Sequence, residues 1–229
     1  PEPPHLAHAP PSREDFPALD RFSPWESGGG SLIMFGLDAQ NRRLVQIDMA
    51  SGTLTKVADL PFESGWSGFD YNPSDGFLYA AVGGASRSNI FYKIDPRTGN
   101  TLLVGSVVSA GGDGSFESIG FRNDGSLLAY DEHYDMFPGH LLSADLVNGT
   151  SQILGSSGTP SCLGGDYDAQ RNTFWVSDEW NGKLYQLNPT NGSVVWTSPS
   201  TWYTGNGQGD MFDVRSEEHT SELQTRQYL

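Results

Sequence analysis

Asp70, Asp166, Asp168 and Asp178 each stand near the end of a short apolar run. Brought to one axis, such carboxylates would suit a bound cation or the acid/base pair of a glycosidic cleavage. The same residue in the same place caps a turn by accepting backbone N–H groups two residues on, and that is the reading the pattern favours. A second acidic group, Asp131-Glu132-His133-Tyr134-Asp135 with His140 nearby, offers oxygen and imidazole donors. It lacks the alternating ligands and the glycine of a helix-loop-helix calcium loop, and two imidazoles fall short of a zinc set. A solvated loop between two strands is expected there. Gly-x-Ser-x-Gly is absent, as is a glycine-rich phosphate loop leading into a helix, so neither a hydrolase elbow nor a nucleotide cradle is encoded. No catalytic residue, cofactor or metal ligand is therefore assigned; calcium is the one ion an oxygen-rich loop leaves open, without a motif behind it.

Aromatic and modifiable residues widen the choice. Trp66, Trp175, Trp180, Trp202 and Tyr203 could stack on the apolar faces of sugars. Trp66 and Trp175 lie in or beside strand-like runs and are expected to pack, whereas Trp180 and Trp202, in loop contexts, are the ligand-facing candidates. Two sequons, Asn148-Gly149-Thr150 and Asn191-Gly192-Ser193, mark Asn148 and Asn191 for glycosylation in a secreted chain. Asn-Gly is also a turn dipeptide in its own right. Cys162 is the single cysteine and cannot form an internal disulfide; it reads as a small buried apolar side chain, with pairing to a partner as the other option.

The elements that must position these groups repeat. Four apolar runs end in Asp or Asn with Gly four residues later: Ile47-Asp48…Gly52, Ile94-Asp95…Gly99, Ala144-Asp145…Gly149 and Leu187-Asn188…Gly192. Their intervals of 47, 50 and 43 residues suit one four-stranded blade. Before each signature the chain alternates, with Val45/Ile47, Tyr92/Ile94, Leu142/Ala144 and Tyr185/Leu187 on one face, which is the period of a strand. Leu32 to Asp38 reads as a buried strand opening the first unit. The Asp or Asn would cap the following turn, and the Gly would take its left-handed corner. With 28 Gly, 14 Pro and 12% aromatic residues, the chain is expected to be an all-β propeller of four-stranded antiparallel blades, four of them plus the start of a fifth near Gly209 to Val214.

Ile94-Asp95-Pro96-Arg97-Thr98-Gly99 and Leu184-Tyr185-Gln186-Leu187-Asn188-Pro189-Thr190-Asn191-Gly192-Ser193-Val194-Val195-Trp196 resemble the blade turns of secreted quinoprotein-like and YVTN-type β-propellers. The resemblance covers residues 31 to about 200 and implies that fold. In quinoprotein dehydrogenases a Trp after this turn helps dock blades; only Trp196 stands in that place, and no cofactor-binding set carries over. A pyrroloquinoline cofactor is not implied.

The flanks differ in composition. Residues 1–30 carry Pro at 1, 3, 4, 10, 11, 17 and 24 and close on Gly28-Gly29-Gly30, as a leader or linker would. Arg215-Ser216-Glu217-Glu218-His219-Thr220-Ser221-Glu222-Leu223-Gln224 resembles the in-frame translation of a sequencing-library adapter. Residues 215–229 are accordingly expected to be non-biological and the propeller at 31–214 to be incomplete.

A formal charge of −15 repels phosphate backbones and anionic head groups, which excludes nucleic acid as a natural partner, and no apolar run is long enough to span a membrane as a helix. These features predict a non-catalytic, extracellular or cell-surface propeller within a larger matrix or appendage protein, a filament subunit being one form. Its partners would be other protein domains or copies of itself, and glycans as well. The alternatives are a sugar- or lactone-acting lyase or hydrolase with a cation at the axis, and a carbohydrate-binding propeller using Trp180 or Trp202.

Overall fold

The computed structural model describes residues 33–38, 41–61, 66–83, 88–111, 114–133, 137–159, 162–178 and 181–199. They form strands alone: β1 (Ile33–Asp38), β2 (Arg43–Asp48), β3 (Leu54–Asp59), β4 (Trp66–Asn72), β5 (Phe77–Gly83), β6 (Ser88–Ile94), β7 (Thr101–Val108), β8 (Phe116–Phe121), β9 (Leu127–His133), β10 (Phe137–Asp145), β11 (Thr150–Ser156), β12 (Cys162–Asp168), β13 (Thr173–Asp178), β14 (Leu184–Leu187) and β15 (Val194–Thr197). Consecutive strands pair antiparallel into four sheets, β1-β2-β3, β4-β5-β6-β7, β8-β9-β10-β11 and β12-β13-β14-β15. The molecule is a β-propeller, and the sheets are its blades 1 to 4 in chain order. In blade 1 the described residues give three strands, with none described on the other edge of β1.

Each inner blade buries both faces, so alternate residues of its second strand go to opposite neighbours. In β5, Leu78 and Ala80 join Phe35, Leu44 and Leu60 of blade 1, while Phe77, Tyr79 and Ala81 join Ile119, Phe121, Leu127 and Leu142 of blade 3. Between blades 3 and 4, Leu128, Tyr130 and Leu141 meet Phe174, Val176, Tyr185 and Leu187. Burying each such side chain contributes roughly 1.5–3 kcal/mol. Such strands read as unbroken apolar runs. The reading of β1 as a buried strand needs correction: only Phe35 is buried and its other residues are half-buried, since among the described residues blade 2 alone packs against blade 1.

The repeated signatures are the turns between the last two strands of each blade. The Asp48, Asp95 and Asp145 carboxylates and the Asn188 amide oxygen accept backbone N–H groups two residues on, from Ala50, Arg97, Val147 and Thr190, at 2.8–2.9 Å. The four glycines that follow have φ of 67–72°, the left-handed corner that glycine takes without steric cost.

Candidate functional site at the joint of blades 2 and 3

The aspartates proposed for chemistry are engaged in separate structural bonds. Asp70 bridges two blades: one carboxylate oxygen accepts the Tyr71 N–H at 2.6 Å, the other the Phe121 N–H of β8 at 2.7 Å. Asp166 accepts the Tyr167 N–H at 2.7 Å. Asp168 caps the turn after β12, holding the Gln170 and Arg171 N–H groups and the Arg171 guanidinium. Burial raises the Asp168 pKa, but the Arg171 side chain and backbone outweigh it and hold the carboxyl below its ordinary range. Asp178 takes the Asn181 N–H at 3.0 Å. Among the described residues no group of three or more His, Cys, Asp or Glu side chains is placed to hold a metal ion.

The solvated loop expected at Asp131 is corrected. Asp131 lies in β9 and is only 2% exposed, because the hairpin extends beyond it and returns as β10. Its carboxylate accepts the Ser109 hydroxyl at 2.7 Å and the His140 N–H at 2.9 Å, and its Oδ1 stands 3.2 Å from His140 Nδ1. Serine, aspartate and histidine are thus adjacent, but the serine donates to the aspartate rather than to the imidazole. That order positions a loop and does not activate a nucleophile. Cys162 is buried, as expected, with its thiol 3.3 Å from the Thr159 hydroxyl.

Trp175 packs as expected, 2% exposed and edge-on to Trp196 with ring centroids 5.7 Å apart. Trp180 and Trp202 lie outside the described residues, as does Tyr203. Both sequon asparagines are exposed at blade turns. They differ in their bonds: Asn148 Nδ2 donates to Asp145 Oδ2 at 2.6 Å, whereas the Asn191 side-chain oxygen accepts the Ser193 N–H and hydroxyl at 3.1 and 2.9 Å.

Sequence reasoning missed a cleft of about 350 Å³ where the outer strand of blade 2 faces the signature turn of blade 3. Tyr79, Lys93, Phe121, Leu127, Leu146 and Val147 are among its lining residues. Lys93 Nζ lies 2.9 Å from Asp75 Oδ2 and 4.1 Å from the centre of the Phe77 ring, and the Tyr79 hydroxyl donates to the same Asp75 oxygen at 2.7 Å. Burial, with Asp75 beside it, pushes the Tyr79 pKa far above its ordinary value. The cationic and anionic ends of this group neutralise one another, so the cleft is lined largely by carbon. At its mouth Val147 is 70% exposed; Val108, 51% exposed, donates its N–H to Gly149 of the same turn at 3.1 Å. The paired backbone places the exposed Val108 beside the turn that carries Val147.

Residues 64–216 match a family described as "Repeat of unknown function (DUF6923)". The chain belongs to the DUF6923 family. The match opens just before β4 and runs past β15, so this DUF6923 repeat covers blades 2 to 4 and the residues that follow. No curated protein sequence matches the chain. Among solved structures, a nidogen/laminin complex is similar at 15% identity with a TM-score of 0.51, covering 73% of this chain and 62% of that one. A dihydro-heme d1 dehydrogenase, NirN, in complex with DHE aligns at 18% identity with a TM-score of 0.45, covering 86% of this chain and 42% of that one. The DUF6923 chain thus spans less than two thirds of either structure. At such identity the nidogen likeness concerns the fold.

Proposed function

We propose that this DUF6923 propeller is a non-catalytic, protein-binding domain of a larger extracellular or cell-surface protein, and that the cleft and rim between blades 2 and 3 form its contact surface. The observation that carries the reading is the exposed apolar edge of a carbon-lined cleft: Val147, 70% exposed, lines the cleft, and Val108, 51% exposed, is bonded through its backbone to the same turn. Exposed apolar groups around a concave site are the usual core of a protein contact, inside a polar rim. With a chain charge of −15, the complementary partner carries an apolar anchor within a basic surround. The exposed sequon at Asn191 supports a secreted setting, and the nidogen/laminin complex, an assembly of proteins, contains a similar fold.

The test is affinity capture from the native extracellular fluid with the wild-type chain and with Val147→Glu/Val108→Glu, followed by measurement of each captured protein's affinity. Both substitutions are on exposed positions, so unchanged circular dichroism is expected. A specific partner bound by the wild type and weakened at least ten-fold in the variant supports the reading. Equal binding by both overturns the assignment of the surface. A glycan at Asn148, on the same turn as Val147, would shield this mouth, so glycoform mapping of native material adds a second check: full occupancy at Asn148 also counts against it.

A further inference from the structure

We propose that Asp145 is the charge-reading residue of the cleft between blades 2 and 3, receiving a cationic side chain of the partner, arginine or lysine, beside the apolar anchor that enters the cleft. The inference rests on the contact surface proposed above and adds the residue that selects the partner.

Asp145 stands where the signature turn of blade 3 borders the cleft, and it is one of the lining residues. Its carboxylate is fixed by its own turn. Oδ1 accepts the Val147 and Asn148 N–H groups at 2.9 and 3.0 Å, and Oδ2 accepts Asn148 Nδ2 at 2.6 Å. An ionised carboxylate offers about four lone-pair sites, so Oδ2 keeps one for a further donor. Asp145 is exposed, and the Asn148 side chain, followed by the Asn148 N–H, holds its carboxyl below the ordinary range. It is an anion at neutral pH.

The turn does not require that charge. Asn188 is the counterpart in blade 4, and its neutral amide oxygen caps the same turn by accepting the Thr190 N–H at 2.9 Å. Gly192 and Gly149 then take the same corner, with φ of 67° and 68°. Nor is the charge balanced within the described residues. Asp75 has Lys93 at 2.9 Å, Asp95 has Arg97 at 3.8 Å and Asp168 has Arg171 at 2.8 Å. No Lys, Arg or His among the described residues pairs with Asp145.

The cleft decides where a partner's charge can go. Its one lining cation, Lys93, is neutralised by Asp75, and Val104, Phe121 and Leu127 present carbon. A cation driven inside would lose its hydration without gaining a counter-charge. At the rim it meets Asp145, with its methylene stem along Val147, as long cationic side chains lie on apolar surface. The apolar anchor then has the interior to itself.

Two probes on the full chain test the proposal: acetyl-Leu-Arg-amide and acetyl-Leu-citrulline-amide, which differ in charge and scarcely in shape. Their titrations are followed by residue-resolved amide NMR shifts, and both are expected to perturb Leu127 and Val147. The arginine probe should bind about five-fold tighter at low salt, the upper end for an exposed ion pair, and the advantage should narrow as ionic strength rises. It should vanish in Asp145→Asn, which keeps the kind of cap that Asn188 makes. Equal affinities of the two probes for the wild type overturn the proposal and leave the contact surface standing. An arginine advantage that survives Asp145→Asn overturns it too, as does a wild-type advantage indifferent to salt, a measurement that needs no variant. If neither probe shifts the cleft residues, the surface and the proposal fall together.

Discussion

At the residue scale, the signature glycines have two functions, and they can be separated. Each takes a positive φ, and three also press on the blade before them. A Cβ at Gly99 would lie 2.1 Å from Ala58 Cβ, one at Gly149 2.7 Å from Ser106 O, and one at Gly192 2.7 Å from Gly155 O. At Gly52, whose φ of 71° is like the others, a Cβ would meet nothing within 4 Å among the described residues. Gly52→Ala should therefore cost only the left-handed backbone penalty, about 1–2 kcal/mol. Gly99→Ala adds overpacking, typically a further 1–3 kcal/mol, because Ala58 belongs to a paired strand and cannot swing away. Urea unfolding of the two variants checks this, and equal losses would show that the glycine has no part in the joint. Asp70 follows the same logic: a carboxylate that accepts an N–H of its own strand also reaches the Phe121 N–H of the next blade.

At the element scale, Asp131 ties the β9–β10 hairpin of blade 3 to the end of β7 in blade 2 through Ser109 and His140. Asp131→Ala would leave the buried Ser109 hydroxyl and the half-buried His140 N–H without their acceptor, at about 1.5–3 kcal/mol for bonds to a charged group. The expected result is that loss in unfolding free energy with faster exchange at the His140 amide; exchange unchanged there would mean that the hairpin is held by its pairing alone. Asp131 also shows what the sequence could and could not tell. The strand positions were legible, since Leu78-Tyr79-Ala80-Ala81 and the four turn signatures carry their own periodicity and caps. The destination of each carboxylate was not, because Asp70 meets Phe121 from 51 residues away and Asp131 meets Ser109 across a blade joint. The cleft was hidden for the same reason. Lys93 and Val147 are unremarkable apart, and only the packing of one blade's outer strand against the next blade's turn brings them to one opening. Local pattern fixes strands and turns; inter-blade contacts depend on the ring.

At the scale of the whole molecule, the ionisable groups predict a stability plateau with two edges. Asp168 and Asp145 have pKa values lowered by folding, Asp168 through Arg171 against the effect of burial, Asp145 through the Asn148 side chain and the Asn148 and Val147 N–H groups. A lowered folded pKa means stability that is present above the unfolded carboxyl value, near 3.9, and lost as pH falls through the folded one. The acid edge should therefore begin below about pH 4. Tyr79 and Tyr130 have raised values, each chiefly through burial. Their contribution is complete below the unfolded tyrosine value of about 10 and declines as pH rises above it, because the unfolded chain ionises while the buried phenols resist. Thermal unfolding followed from pH 2 to 11 should show both edges. Asp168→Asn should reduce the acid slope, and Tyr79→Phe should reduce the alkaline slope while leaving the acid one alone. Since Tyr79 lines the cleft with Lys93, both bonded to Asp75, the same variant reports on the proposed binding surface: partner affinity should change little at neutral pH, where the phenol is neutral and Phe preserves its ring. A Tyr79→Phe protein with the wild-type alkaline edge would show that the buried hydroxyl is not what limits the fold at high pH.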